Sequence, residues 1–124
     1  RLRELIGGPG AIVAAIGPCI SACCFEVGAD VASLLSQASS AGGAALSHGP
    51  ATESARRRQG SDAPTPRVDL RRIVRAQLVE TGVADGSIED VPGCTVCAPE
   101  LFHSYRRDGD RSGRLLSAIV PRAR

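Results

Sequence analysis

The segment that decides the fold class is residues 68–91, which read VDLRRIVRAQLVETGVADGSIEDV. Asp69 is a good N-cap residue for a helix, and Gly82 is suited to end that helix. A strand is predicted over residues 87–91, so the segment passes from helix to strand. The apolar residues that recur at helical spacing, and that we expect to be buried, are Leu70, Ile73, Val74 and Leu78.

The rest of the chain extends this alternation. Residues 11–16 form a short apolar run ended by Gly-Pro and predict a buried strand. A helix is predicted over about residues 25–37, and Pro99 is suited to begin a short helix that continues to about Tyr105. Residues 37–68 are rich in Ser, Ala, Gly and Pro and predict a long flexible loop. With a final strand at 113–120, the order is typical of an α/β fold in which mixed β-sheets are layered with helices.

The overall composition sets limits on both stability and partners. The chain has 124 residues, about one domain, and an aromatic fraction of only 2%, so small aliphatic side chains must fill its core. A net charge of +2 is too small to indicate binding to nucleic acid or to a membrane surface. No apolar stretch approaches the ~20 residues of a membrane span, and no signal peptide is recognisable, so we expect a cytoplasmic protein. The sequence opens on Arg1 rather than Met, and we expect it to be a piece of a longer polypeptide.

Two of the five cysteines form the pair Cys94-Thr95-Val96-Cys97. Two thiolates at this spacing can supply half of a tetrahedral zinc site. Further ligands would have to come from Cys19, Cys23 or Cys24, about seventy residues away. Dithiol redox chemistry is a second interpretation, and it requires a lowered thiol pKa. The favoured interpretation is that the cysteines are buried or line a pocket.

The stretch that follows is Phe102-His103-Ser104-Tyr105-Arg106-Arg107. An arginine guanidinium is well shaped to bind phosphate, and a tyrosine ring beside it can stack on a planar group. On the residues alone, a solvated turn containing an Arg–Asp pair is the favoured interpretation, and an arginine that binds an anion is the functional alternative. His103 is expected to be a surface or packing residue, and His48, in the predicted loop, is expected to be solvated.

Three segments resemble the second half of the YfiH-like laccase-domain family, also described as multicopper polyphenol oxidase-like. The first runs from Ala14 through Ile16-Gly17-Pro18-Cys19 to Cys23-Cys24-Phe25-Glu26-Val27-Gly28. The second is Val68-Asp69-Leu70 with Gln77-Leu78 and Gly82-Val83. The third contains Cys94-Thr95, Glu100-Leu101-Phe102, Ser104-Tyr105-Arg106-Arg107-Asp108-Gly109 and Gly113-Arg114. The resemblance implies that residues 1–124 are the C-terminal part of one such domain.

Members of this family are understood to be purine nucleoside phosphorylases. The resemblance implies phosphorolysis of adenosine, inosine, guanosine and methylthioadenosine, together with deamination of adenosine. It also implies a zinc ion, with copper as the less favoured metal. The family's zinc ligands are two histidines and a cysteine in Ala-Asp-Cys and His-Ala-Gly-Trp-Arg-Gly segments. This chain has neither segment, so the ligands are expected in a missing N-terminal part and the chain by itself is expected to be inactive.

By the same resemblance, six residues of this chain would approach the nucleoside or the phosphate. They are Phe102, Ser104, Tyr105, Arg106, Arg107 and Cys19.

Two other functions remain open. A rival interpretation is a non-catalytic binding module with structural zinc, and a third is a thiol oxidoreductase. Tight zinc binding by the isolated chain is expected to favour the binding module over the enzyme.

Overall fold

The computed structural model describes residues 12–53, 56–57, 60 and 62–120. The helices in this part of the chain are neither long nor apolar enough to cross a membrane. The elements confirm the predicted α/β class. In chain order they are β1 (Ala14–Ile16), α1 (Ala29–Ser36), β2 (Leu46–Gly49), β3 (Thr65–Val68), α2 (Leu70–Glu80), β4 (Ile88–Asp90) and α3 (Tyr105–Asp108), with single 3-10 turns at Gly43–Ala45, Asp85–Ser87 and Gly109–Arg111.

The strands form two small sheets. Strands β1 and β4 are parallel, with Ala14 opposite Ile88, whereas β2 and β3 are antiparallel, with Leu46 opposite Val68. Parallel strands end at the same edge of a sheet, so the chain leaves β1 and β4 side by side. An isolated bridge between Cys19 and Cys94 continues this pairing beyond the strands. The segments that follow β1 and β4, which carry Cys19 and Cys94, are therefore brought together at the carboxyl edge of this sheet.

Small aliphatic residues fill two separate cores, as the scarcity of aromatic residues predicts. The larger core lies between α1, α2 and the antiparallel sheet, and the smaller one covers the parallel sheet. Its buried members are Ile16, Val83 and Ile88. The larger core contains Val27, Ala32, Ala45, Val68 and Ile73.

Helix α2 confirms most of what its sequence predicts. The Asp69 Oδ1 atom accepts a hydrogen bond from the Arg72 main-chain N–H at 3.2 Å, which caps the helix, and Gly82 follows the helix end with a φ of 92°. The prediction of a buried side chain is wrong for Val74, which is 38% exposed. Ile73 packs in the larger core and Leu78 against the smaller one, so the face of α2 that carries Val74 turns toward solvent.

The predicted helix over 25–37 begins later than expected, at Ala29. The preceding residues are extended and join the antiparallel sheet: Val27 N–H donates to Pro66 O, and Val68 N–H donates to Phe25 O. This pairing also corrects the prediction of a loop over 37–68, because β2 and β3 lie within that range. Residues 54–55, 58–59 and 61 lie outside the described residues, and flexibility of the segment stays a prediction.

Two further predictions near the end of the chain are wrong. The helix expected from Pro99 to Tyr105 is only a turn closed on Ala98 O, and α3 begins at Tyr105, where the prediction had a helix end. The strand expected over 113–120 is irregular instead. A strand needs a hydrogen-bonded neighbour, and none of the described residues pairs with this segment. Its apolar side chains remain exposed, Leu116 to 95%.

Candidate functional site

A cavity of about 300 Å³ lies beside the carboxyl edge of β1 and β4. One wall is the Gly-Pro-Cys exit from β1, and the opposite wall is the start of α3. The two walls meet because the bridge between Cys19 and Cys94 aligns the chain segments that follow each strand. The lining residues are Pro18, Cys19, Ile20, Phe25, Thr95, His103, Ser104, Tyr105, Arg106 and Leu115.

Four of the six residues predicted to bind substrate lie together in this lining: Cys19, Ser104, Tyr105 and Arg106. Phe102 and Arg107 do not line the cavity. The Phe102 ring packs over Gly93, where a Cβ atom would lie 3.1 Å from its Cε2 atom and where φ is +106°. Phe102 therefore supports the turn before Cys94 rather than the cavity surface.

Arg106 presents a guanidinium at the cavity. Its Nη1 atom donates to the main-chain oxygen of Glu26 at 3.0 Å, and its Cζ atom lies 5.4 Å from the centroid of the Phe25 ring. These two contacts orient the side chain across the cavity wall. A guanidinium carries five N–H donors, so this anchoring leaves donors that can bind an anion.

Arg107 uses its guanidinium very differently. Its Nη1 atom donates to the carbonyl oxygens of Thr95 and Val96, at 2.8 and 3.2 Å, and its Nη2 atom donates to Phe102 O at 3.0 Å. Nε and Nη2 also donate to the carboxylate of Asp108, each at 2.8 Å, which lowers the pKa of that carboxyl. Arg107 thus holds the Cys94–Cys97 turn in place against the start of α3.

The neighbouring polar groups give the cavity a mixed surface. Ser104 is buried, and its carbonyl oxygen accepts the main-chain N–H groups of Arg107 and Asp108. Tyr105 is 67% exposed, and its hydroxyl donates a hydrogen bond to Asp110 Oδ1 at 3.2 Å. Burial is the main cause of the raised pKa of the Cys19 thiol, so this thiol is protonated at neutral pH.

Sequence reasoning missed several residues of the lining, among them Phe25, Thr95 and Leu115. His103 also lines the cavity, and its ring packs on Gly113, where a Cβ atom would lie 2.5 Å from the His103 Nε2 atom. The pairing of Cys19 with Cys94 brings these residues together over long sequence separations. The one local sequence feature that could have indicated a lining residue is that Phe25 directly follows the Cys23-Cys24 pair.

A cluster of four cysteines lies next to the cavity. The Sγ atoms of Cys23, Cys24, Cys94 and Cys97 all lie within 4.8 Å of one another, and these four residues could hold a metal ion. The Cys24 and Cys97 sulfurs are 3.4 Å apart, those of Cys23 and Cys24 are 3.7 Å apart, and those of Cys23 and Cys97 are 3.8 Å apart. All are free thiols. Cys19 stays outside the cluster.

The protonation of the cluster is uneven. Burial alone would raise the pKa of Cys94, but hydrogen bonds from the main-chain N–H groups of Ser21, Cys97 and Val96 lower it to about 6. Burial raises the pKa of Cys23, and burial together with the neighbouring thiols raises that of Cys24 strongly. Cys94 is therefore mainly a thiolate at neutral pH, whereas Cys23 and Cys24 are protonated thiols.

The family's expected zinc ligands, two histidines and one cysteine, do not fit these residues. His48 lies on β2 and His103 lines the cavity, away from the cysteine cluster. Over the described ranges, the four cysteines are the one group of three or more potential ligands near enough to share a metal.

This combination of an α/β fold with a cavity built from a Gly-Pro-Cys turn and a Ser-Tyr-Arg-Arg helix start agrees with the sequence resemblance. Residues 2–122 match the model of the family described as multi-copper polyphenol oxidoreductase laccase, and the chain belongs to that family.

The chain is also similar to curated enzymes. It is 32% identical over 128 residues to the purine nucleoside phosphorylase YlmD of Geobacillus stearothermophilus, a match that covers 96% of this chain and 39% of the relative. It is 35% identical over 108 residues to the adenosine deaminase RL5 of an unknown prokaryotic organism, covering 87% of this chain and 37% of RL5. A purine nucleoside phosphorylase of Bacteroides thetaiotaomicron is 33% identical over 131 residues, covering 97% and 41%.

The chain therefore spans about two fifths of the length of these relatives. No solved structure shows a significant match to it.

Proposed function

We propose that this chain is the C-terminal part of a purine nucleoside phosphorylase and supplies part of its substrate pocket. The observation that carries the proposal is the cavity that gathers Cys19, Ser104, Tyr105 and Arg106 from opposite ends of the chain. The names of the relatives support the same enzyme class. Substrates and activity belong to a whole protein of which these residues are a portion.

The proposed substrates are a purine nucleoside and inorganic phosphate. Adenosine, inosine, guanosine and methylthioadenosine are the nucleosides we propose, with deamination of adenosine as a second reaction, supported by the likeness to a protein named as an adenosine deaminase. We propose a cytoplasmic location and zinc as the metal of the whole enzyme. The expected absence of nucleic-acid and membrane partners stays a prediction.

The size and chemistry of the cavity suit such a substrate. A volume of about 300 Å³ is at the lower end of the range for small-molecule pockets, ~300–1,000 Å³, as expected where only part of a substrate pocket is present. The exposed ring of Tyr105 offers a face on which a purine can stack. Arg106 offers cationic N–H donors for a phosphate group, held in place by Glu26 O and the Phe25 ring.

Phosphorolysis requires a cationic group that holds phosphate next to the sugar. A phosphate oxygen forms a bond to the anomeric carbon of the sugar while the bond from that carbon to the purine nitrogen breaks. The purine leaves with the electron pair of that bond and gains a proton from solvent. A guanidinium that holds phosphate against the sugar lowers the barrier by positioning the nucleophile. We assign that positioning role to Arg106 rather than to Arg107.

Arg106→Ala, made in the whole enzyme, tests the assignment. Loss of a charge-assisted hydrogen bond costs about 1.5–3 kcal/mol, which predicts a roughly 10–100-fold higher KM for phosphate. The KM is measured from the rate at which the purine base is released. Arg106→Lys should restore part of the loss because it keeps the charge. Arg111→Ala is the matched control, since Arg111 is an exposed arginine outside the cavity lining, and its KM should stay at the wild-type value.

Two results would count against these ideas separately. A wild-type enzyme that releases no purine base in the presence of phosphate would remove the proposed function. An active enzyme whose KM for phosphate is the same with and without the Arg106 guanidinium would remove the role of that residue and leave the function intact.

A further inference from the structure

The four-cysteine cluster has the dimensions of a tetrahedral metal site. In a zinc–thiolate site the metal–sulfur distance is about 2.3 Å, which places the sulfurs of a regular tetrahedron about 3.8 Å apart. The sulfur–sulfur distances of 3.4, 3.7 and 3.8 Å among Cys23, Cys24 and Cys97 lie close to that value. Cys94 completes the set within 4.8 Å. A disulfide would need sulfurs about 2.05 Å apart.

We propose that Cys23, Cys24, Cys94 and Cys97 together bind one Zn²⁺ ion in a closed, structural site. The proposal goes beyond the proposed function and is independent of it, because its ligands are not the histidines and cysteine of the family's zinc centre and its readout is metal binding rather than turnover.

Hydrogen bonds prearrange the buried ligand, Cys94. The main-chain N–H of Ser21 donates to the Cys94 Sγ atom at 3.3 Å, and the N–H groups of Cys97 and Ala98 donate to the Cys94 carbonyl oxygen. This turn places the Cys94 and Cys97 sulfurs on one side. Outer-shell bonds of this kind orient metal ligands, and donors to sulfur stabilise the thiolate that binds the metal.

Two arginines hold the ligand-bearing segments from outside. Arg71 donates through Nη1 to Ser21 Oγ at 3.2 Å and through Nη2 to the carbonyl oxygens of Val91 and Gly93, at 2.9 and 2.5 Å. It therefore ties the segment before Cys23 to the turn before Cys94. Arg107 holds the Thr95 and Val96 carbonyls of the other turn. Four thiolates and a Zn²⁺ ion carry a net negative charge, which these cationic groups partly offset.

The donor set favours zinc. Four sulfur ligands in a tetrahedron are typical of Zn²⁺ or of iron–sulfur chemistry, and structural zinc sites are closed by four protein ligands. Hard cations such as Mg²⁺ and Ca²⁺ prefer oxygen, and the cluster offers none. A four-coordinate site leaves no position for a substrate, so its role is to join two segments 73 residues apart.

A zinc link between these two segments would also position the cavity lining. Cys23 and Cys24 lie between Cys19 and Phe25, and Cys94 and Cys97 flank Thr95, so the ligands alternate along the chain with residues of the cavity lining. Metal binding by segments that are distant in sequence stabilises the folded state by the free energy of binding. The zinc would therefore fix the separation of the two cavity walls.

The first test measures the metal content of the purified 124-residue chain by mass spectrometry. We expect one zinc per wild-type chain. Cys23→Ser and Cys97→Ser should each weaken zinc binding by at least the ~10–100-fold that outer-shell changes cost. Cys19→Ser is the matched control, because Cys19 is a cysteine of the same segment outside the cluster, and its zinc content should equal that of wild type.

The second test needs no variant and so does not depend on a variant's folding. Co²⁺ added to the metal-free wild-type chain should give the intense visible absorption of a tetrahedral tetrathiolate site, and one equivalent of Zn²⁺ should displace it. With zinc bound, one of the five thiols, Cys19, should react with a thiol reagent, and all five should react after addition of a chelator.

Several results would overturn the proposal. These are a folded wild-type chain that retains no zinc, iron in place of zinc, equal zinc content in the wild-type chain and the Cys97→Ser chain, or disulfides among the four cysteines under reducing conditions.

Discussion

The two sides of this molecule are held together by different forces. Helices α1 and α2 and the antiparallel sheet pack around small aliphatic residues such as Val68 and Ile73. The side that carries the cavity, from Cys19 to Phe25 and from Val91 to Asp108, has few buried apolar residues and is held by arginines bound to carbonyl oxygens, with the four cysteines of the cluster grouped between its segments. In this family member, the scaffold is stabilised by apolar burial and the site by polar contacts at fixed geometry.

The difference has a physical reason. A polar cavity wall cannot be buried among aliphatic side chains without loss of hydrogen bonds, so its loops need partners of another kind. An arginine satisfies several carbonyl oxygens at once, as Arg107 does for Thr95, Val96 and Phe102. The cavity side should therefore be destabilised most by removal of a charged group, and the aliphatic side most by removal of buried side-chain volume.

The largest effect on stability is expected from Ile73→Ala. Ile73 is buried in the larger core, and removal of three carbon atoms from a packed core costs about 3 kcal/mol of unfolding free energy. Urea unfolding followed by circular dichroism measures this loss. Val74→Ala on the same helix is the control and should cost less than about 1 kcal/mol, because Val74 is exposed. Equal losses in the two variants would mean that α2 packs as its sequence alone predicts.

A smaller effect is expected from Arg107→Ala. The change leaves the carbonyls of Thr95, Val96 and Phe102 without their donor, and the loss of stability should be smaller than for Ile73→Ala because water can reach this partly exposed region. Hydrogen exchange should show the loss of protection near residues 94–102 and little change in α2. Arg111→Ala provides a comparison at an exposed arginine. Uniform loss of protection across both sides of the molecule would contradict the division between them.

The smallest effect is expected at the boundary between the two sides, where Glu26 is only 3% exposed. Burial alone would raise the pKa of its carboxyl, but hydrogen bonds from Thr52 and Arg67 lower it below the ordinary 4.5. A lowered folded-state pKa contributes stability that is present above pH 4.5 and lost as the pH falls through the lower folded-state value.

The Glu26→Gln variant measures this contribution. It should be about 1 kcal/mol less stable than wild type at neutral pH. Because glutamine does not titrate, the difference in unfolding free energy between the two proteins should shrink on acidification below pH 4.5. A difference that stays constant from neutral to acid pH would show that the Glu26 charge contributes nothing to stability.

Local patterns predicted the elements whose ends are marked by specific residues. Helix α2 has an N-cap at Asp69 and a glycine with positive φ, Gly82, after its end. Both residues set the helix ends through contacts or backbone angles within a few residues, so the sequence alone predicts them. Strands β2 and β3 were missed because their residues lack apolar alternation, and they pair through main-chain hydrogen bonds instead. The exposed segment 113–120 has the opposite property, since its apolar residues predicted a strand that has no partner among the described residues.

The cysteines show the same limit for the candidate site. The sequence identified the Cys94–Cys97 pair and three possible further ligands, but it left zinc, redox and pocket-lining roles open. The structure selects Cys23 and Cys24 and places Cys19 in the cavity lining instead. It also brings the cluster and the cavity side by side, so zinc bound by this chain is compatible with an enzyme as well as with a binding module.

The sequence by itself determined the α/β class, helix α2 and the family, because caps, turns and motif spacings act over short distances along the chain. Only the tertiary structure decided which cysteines meet and which arginine of the 106–107 pair faces the cavity. Adjacent arginines are equivalent in sequence. What separates them is the Cys19–Cys94 pairing, which places carbonyl acceptors around Arg107 and the cavity beside Arg106.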